Sequence, residues 1–115
     1  MKIEKNVLIM SLFPNKITKL FDKTFNTFKT YEQENAEKFI ESLSDKIEAI
    51  AVMGGTTVSS ELIKKLPKLK IIANYGVGYD AVDVKQATLS NVKVTNTPDV
   101  LNDEVADTAI ALTLC

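Results

Sequence analysis

The segment Gly76-Val77-Gly78-Tyr79-Asp80-Ala81 fits the spacing G-x-G-x-x-G/A and follows the apolar run Ile71 to Tyr75. Between a strand and a helix, that spacing describes a backbone cradle for a dinucleotide diphosphate. Asp99 lies about 20 residues on, where an acid would bind the ribose. Two features oppose this chemistry. Asp80 is expected at the start of the next helix, where its carboxylate would repel the phosphates that a helix N-terminus attracts. The unit is also the fourth strand of the chain, with a series of βα units before it. The same loop suits a smaller anion. Gly76 and Gly78 permit a tight turn, and the N–H groups of Val77 and Gly78 can face a small carboxylate with no side chain in the way. A third reading assigns no ligand: a tight βα turn with Asp80 as the helix cap.

Other chemistry is constrained by what the chain lacks. It has no His, and all 14 basic residues are Lys. The usual proton shuttle near neutral pH is therefore missing, as is the planar fork that clamps carboxylates and phosphates at two points. Lys64, Lys65, Lys68 and Lys70 cluster on and after one helix and read as a solvated face. The single thiol, Cys115, allows neither an internal disulfide nor a Cys-based zinc site, which suits a reducing, cytoplasmic compartment. A net charge of −1 without a basic stripe gives nucleic-acid binding no support. No apolar run approaches the ~20 residues of a membrane span, and Val7 to Phe13 reads as a buried strand rather than a signal peptide.

The elements that must position the loop follow from periodicity. Apolar runs predict strands over Val7–Phe13, Ile47–Met53, Leu69–Tyr75 and Val92–Thr95, and alternation predicts another over Phe25–Tyr31. Helices are expected around Ile17–Phe21, over Asn35–Ser44 with the stripe Ala36, Phe39, Ile40 and Leu43, from Ser59 or Ser60 to Leu66, and over Asp83–Ser90. Asn102 or Asp103 can cap a last helix that runs to Cys115. Its end is almost wholly apolar, so the chain is expected to continue. Strands that are apolar on both faces and alternate with helices imply an α/β fold, a parallel sheet with helices on both faces. Hydrophobic residues at 45% and a length of 115 residues suit one small core.

"LKIIANYGVGYDAVDV" followed by "VKVTNTPDVLNDEVADTAIALTL" closely resembles the D-isomer-specific 2-hydroxyacid dehydrogenases, and among them the glyoxylate/hydroxypyruvate reductase branch. The resemblance is sharp from about 69 to 114 and compatible in element order from 7 to 58. It implies a flavodoxin-like substrate-binding domain over 1–98. It also implies the start of an NAD(P)-binding domain over 99–115, a crossing segment and a first helix that is cut short. The glycine loop then serves a substrate carboxylate, through Tyr75, Gly76, Val77 and Gly78, and its dinucleotide spacing is coincidental. Gly54, beside Met53 and Gly55, is expected to line the same cleft, with Gly55 more simply a turn former. Val100 and Leu101 are expected as cleft wall, with Leu101 a substrate contact. Val77 and Val105 are expected near the nicotinamide, although Val105 lacks the hydroxyl usual in the family. Asp107 matches the family's usual acid on its helix.

Reduction of a 2-oxo acid needs a cation for the carboxylate and carbonyl, a general acid for the forming alkoxide, and a hydride donor. In the family an Arg and a His–Glu pair do the first two jobs, and this chain has neither Arg nor His. No residue of this chain is therefore assigned as catalytic, no metal site is expected, and the 115-residue chain alone is expected to be inactive. The resemblance implies NAD or NADP bound mainly by downstream polypeptide, a small 2-oxo or 2-hydroxy acid as ligand, and a homodimer as the full-length protein. The alternative is a stand-alone flavodoxin-like small-ligand-binding or regulatory domain. A decayed, truncated gene product is a third possibility. A reading frame that continues past Cys115 into a second glycine loop, then Arg, Glu and His, would favour the enzyme.

Overall fold

The structure is a computed structural model that describes residues 3–53, 55–76, 78 and 80–96. Among the described residues five strands and four α-helices alternate: β1 (Asn6–Ile9), α1 (Asn15–Thr24), β2 (Asn26–Lys29), α2 (Ala36–Ser42), β3 (Ala49–Met53), α3 (Ser60–Lys65), β4 (Ile71–Tyr75), α4 (Val84–Leu89) and β5 (Lys93–Thr95). All four pairings are parallel and the spatial order is β2-β1-β3-β4-β5. This is the doubly wound, flavodoxin-like order expected from the sequence.

Alternation along the central strands sends side chains to two different layers. On one face Leu8, Ile50, Val52 and Ile72 meet Leu43, Ile63, Leu66 and Ala87 from the region of α2, α3 and α4. On the other, Val7, Ile9, Ala49, Ala51, Ile71 and Ala73 meet Phe13, Ile17, Phe21 and Phe25 from α1 and its flanks. Three alanines make room for the aromatic rings, so bulk on the helix is matched by small residues on the sheet. The opposite face reverses this, and truncating its wholly buried Ile50 or Ile72 to Ala would cost about 2–5 kcal/mol.

Helix ends follow local chemistry. The Ser59 side chain accepts the Leu62 N–H, so of the two candidate serines Ser59 is the cap, and Glu61 lies in the first turn. Asn35 caps α2 through the Lys38 N–H. After α4, Asn91 takes φ 59°, Val92 N–H donates to the Ala87 carbonyl, and Asn91 N–H donates to that of Thr88. That is a Schellman closure with Asn in the left-handed position usually held by glycine.

Three expectations from the sequence are corrected. β1 ends at Ile9, not Phe13. Met10 N–H still donates to the Ala51 carbonyl, but the next ladder donor, Met53 N–H, is taken by the Ser11 hydroxyl, and the backbone bends away. β2 ends at Lys29 because Thr30–Glu32 coils into a 3₁₀ turn closed by Gln33 N–H to the Thr30 carbonyl. Asp80 is neither the first residue nor the cap of α4. The cap is Asp83, whose carboxylate accepts the Gln86 N–H at 2.9 Å. The last helix expected from 102 or 103 to 115, with Asp99, Val100 and Asp107, lies outside the described residues.

Candidate functional site

In a parallel sheet the loops that follow the strands share one edge. With this order the sheet grows one way from β1 to β2 and the other way from β3 onward, so the crevice opens between the loops after β1 and β3. The buried Ser11 sits at that point. Its Oγ accepts the Met53 N–H at 2.9 Å and shares a 2.6 Å hydrogen bond with Thr56 Oγ1. The loop after β1 is thereby tied to the loop after β3. Phe13 extends the bracing, its ring edge-on to Phe21 at 5.4 Å and to Tyr75 at 6.0 Å, where β4 ends. Between these anchored residues Leu12 is thrown outward, 74% exposed.

The β3 loop turns at Gly55, whose φ of +94° is left-handed, with Thr56 N–H donating to the Met53 carbonyl. Gly55 is thus the turn former that the sequence suggests. The chain then runs alongside the segment that follows β4. Val58 and Val82 form a parallel bridge, in which Val58 N–H donates to the Ala81 carbonyl at 2.9 Å and Asp83 N–H to the Val58 carbonyl at 3.0 Å.

The glycine loop begins at the end of β4. Tyr75 and Gly76 are half-buried and Gly78 is exposed. The buried Asn74 side chain donates to the Gly78 carbonyl at 2.6 Å. A Cβ placed on Gly78 would meet nothing within 4 Å, and the backbone there is not left-handed. Neither packing nor conformation demands glycine at 78, so the space beside it is open to an approaching molecule. Of the residues proposed from the sequence, Tyr75, Gly76 and Gly78 come together at the C-terminal edge, where Tyr75 pairs with Met53. Gly54, Val77, Leu101 and Val105 lie outside the described residues.

Among the described residues the loop lacks the helix start on which a dinucleotide diphosphate rests. That ligand sits on the free N–H groups of a helix that starts where the glycines end. Here α4 starts at Val84, after the Val82 bridge, and the Asp83 carboxylate already takes the Gln86 N–H.

Titration behaviour is perturbed elsewhere. The Asp22 carboxylate, 2.8 Å from Lys29 Nζ, raises the Lys29 pKa above its ordinary value through their hydrogen bond, and burial raises that of Tyr31. Both residues belong to the edge strand β2 and the turn after it, outside the β1–β3 crevice. Among the described residues no group of three or more His, Cys, Asp or Glu could hold a metal. Lys64, Lys65, Lys68 and Lys70 are exposed, and Lys65 reaches Glu37 and Glu41 at 3.7 and 3.8 Å across the α2–α3 surface. Such exposed pairs contribute little.

Residues 7–113 match the D-isomer specific 2-hydroxyacid dehydrogenase, catalytic domain. The chain belongs to this family. It is 38% identical over 108 residues to the hydroxyphenylpyruvate reductase of Plectranthus scutellarioides, a match that covers 94% of this chain and 34% of that protein. It is 36% identical over 115 residues to the glyoxylate reductase of Pyrococcus furiosus, covering 97% and 34%. A solved NADPH-dependent glyoxylate/hydroxypyruvate reductase from Sinorhizobium meliloti, in complex with citrate, superposes with a TM-score of 0.71 at 36% identity, over 96% of this chain and 34% of that one. The chain thus spans about a third of the length of the 2-hydroxyacid dehydrogenases it matches.

Sequence reasoning missed Ser11, Thr56, Asn74 and the Val58–Val82 bridge. One signal was present for two of them. Ser11 and Asn74 are polar residues inside otherwise apolar runs, "VLIMSLF" and "IIANY", where an unpaired polar group would be costly.

Proposed function

We propose that this chain is the substrate-binding part of an NAD(P)-dependent D-2-hydroxyacid dehydrogenase that reduces a small 2-oxo acid such as glyoxylate or hydroxypyruvate. The observation that carries the reading is the loop at Gly76–Gly78. It is pinned at its base, open beside Gly78, and set apart along the chain from α4, which starts at Val84. Such a loop can offer backbone donors to a compact carboxylate while excluding a diphosphate. The names of the glyoxylate and hydroxypyruvate reductases among its relatives favour the same substrate class.

In this reading residues 1–98 form the substrate domain and residues 99–115 begin the cofactor domain. Tyr75, Gly76, Val77 and Gly78 receive the acid, with Gly54 and Leu101 lining the cleft, and Val77 and Val105 approach the nicotinamide. NAD or NADP, held by the rest of the enzyme, supplies the hydride. The crevice residues Ser11, Phe13, Met53 and Thr56 shape and brace the site, and none of them is a cation or an acid able to deliver a proton to the forming alkoxide. Those groups come from the remaining two thirds of the enzyme, which acts as a homodimer in the cytoplasm. Among the described residues no helix is long and apolar enough to cross a membrane.

The test separates the parts. The intact enzyme should oxidise NADH or NADPH in the presence of glyoxylate or hydroxypyruvate, whereas the 115-residue chain should give no turnover. Turnover by this chain alone overturns the division of labour. An intact enzyme inert toward every small 2-oxo acid overturns the activity.

A further inference from the structure

We propose that Asn74 is a positioning residue for the substrate, a strut that anchors the Gly76–Gly78 loop to the end of β4. The inference rests on the reading of that loop as a carboxylate site. Asn74 lies in β4 opposite Val52, between strands β3 and β5, at 3% exposure and on the apolar face that includes Ile72. Every other residue from Ile71 to Ala73 is apolar and buried. A polar amide at such a position is unfavourable unless its hydrogen bonds are made inside the protein. The Asn74 amide makes one outward along the chain, to the Gly78 carbonyl at 2.6 Å, four residues later.

That bond ties the loop to the strand it leaves. It holds the Gly78 carbonyl toward the buried end of β4, next to the open side where a Cβ on Gly78 would meet nothing. It also removes a carbonyl dipole from the face an anion must approach. Downstream, the Val58–Val82 bridge holds the far end of the same loop, with donors and acceptors on both sides of Val58. The loop is thus fixed at Gly78 and again at Ala81 to Asp83, and a fixed loop binds without having to be ordered by its ligand. A purely structural role for Asn74 would be met equally by an apolar residue that filled the same volume.

The experiment uses the intact enzyme and two variants, Asn74→Leu, which keeps a branched side chain without the donor, and Asn74→Ser, which is too short to span to Gly78. Losing one anchoring hydrogen bond should raise KM for glyoxylate roughly 3- to 10-fold in either variant, the range of one net hydrogen bond. Turnover at saturation should stay within about twofold, because the lost interaction is one that ground state and transition state share. The dissociation constant for NADPH should not change. An unchanged KM in a folded variant overturns the assignment. So does a loss of NADPH binding together with turnover, or failure of both variants to fold, since each makes Asn74 a folding residue only. Malonate titrated into the wild-type enzyme, followed at the Gly76 and Gly78 amide signals, separates the two levels. Silent amides overturn the carboxylate reading itself. Responsive amides combined with an unchanged KM in the variants overturn only the role of Asn74.

Discussion

Ser11→Ala is expected to loosen the crevice and to lower stability more than its size suggests. Ser11 is 8% exposed and its hydroxyl has two partners, the Met53 N–H at 2.9 Å and Thr56 Oγ1 at 2.6 Å. Alanine leaves both unmatched. Each orphaned, partly buried group costs about 1–3 kcal/mol, at the low end where water can reach it. Met53 and Thr56 are half-buried, so water relieves part of the loss. A total of about 2–3 kcal/mol is expected. At roughly 4 °C per kcal/mol for a chain near this length, Tm should fall by roughly 8–12 °C. Thr56→Val removes one of the two bonds and should cost about 1 kcal/mol. The double variant should be little worse than Ser11→Ala, because the shared bond can be lost only once. Urea unfolding with an unchanged m-value reads all three. A Ser11→Ala cost below about 0.5 kcal/mol, the ordinary range for a surface substitution, would refute the claim that this hydroxyl ties the loops. Strict additivity with Thr56→Val would refute the direct Ser11–Thr56 bond.

Two glycines should respond in opposite ways. Gly55→Ala should cost roughly 1–2 kcal/mol by thermal melts, because φ +94° is strained for any side chain although space is available. Gly78→Ala should leave stability within about 0.5 kcal/mol, yet weaken substrate binding in the intact enzyme as the methyl enters the open side. For pH, the Asp22 hydrogen bond raises the Lys29 pKa above 10.5, so the folded chain holds that proton more tightly than the unfolded chain does. The resulting stabilisation is complete below 10.5 and is lost as pH rises through the folded value. A Tm difference between wild type and Lys29→Met should therefore be present at about pH 9 and gone once Lys29 is deprotonated, and a difference that grows with pH would contradict the sign.

What could be read from the sequence was the record left by burial. Runs such as Ile47–Met53 and Leu69–Tyr75 located β3 and β4, the capping chemistry of Ser59 or Ser60 located α3, and the stripe Ala36, Phe39, Ile40 and Leu43 located α2. Burial, however, does not report ladder pairing. Phe13 and Phe25 are buried beside α1 without being strand residues, so β1 and β2 were drawn too long. Ala36 fits the apolar stripe of α2 but faces solvent, because alanine is compatible with either side of a helix. At the site, the glycine spacing located the loop but could not identify the ligand. What argues against a diphosphate is the separation of Gly78 from the start of α4 at Val84, across a stretch where Val82 bridges Val58, 24 positions earlier. A contact of that range has no local sequence signature. Asn74 and Ser11 were visible as polar interruptions of apolar runs, but their partners become evident only when the strand ends are brought together.

The central claim is that the turn after β4 holds a small carboxylate and not a cofactor diphosphate. Backbone amide shifts of the isotope-labelled chain, titrated in parallel with malonate and with NADH, test it most directly. The account predicts saturable movement of the Gly76 and Gly78 signals with malonate and none with NADH. Movement of those signals with NADH, with the Gln86 amide at the start of α4 moving alongside them, would contradict it.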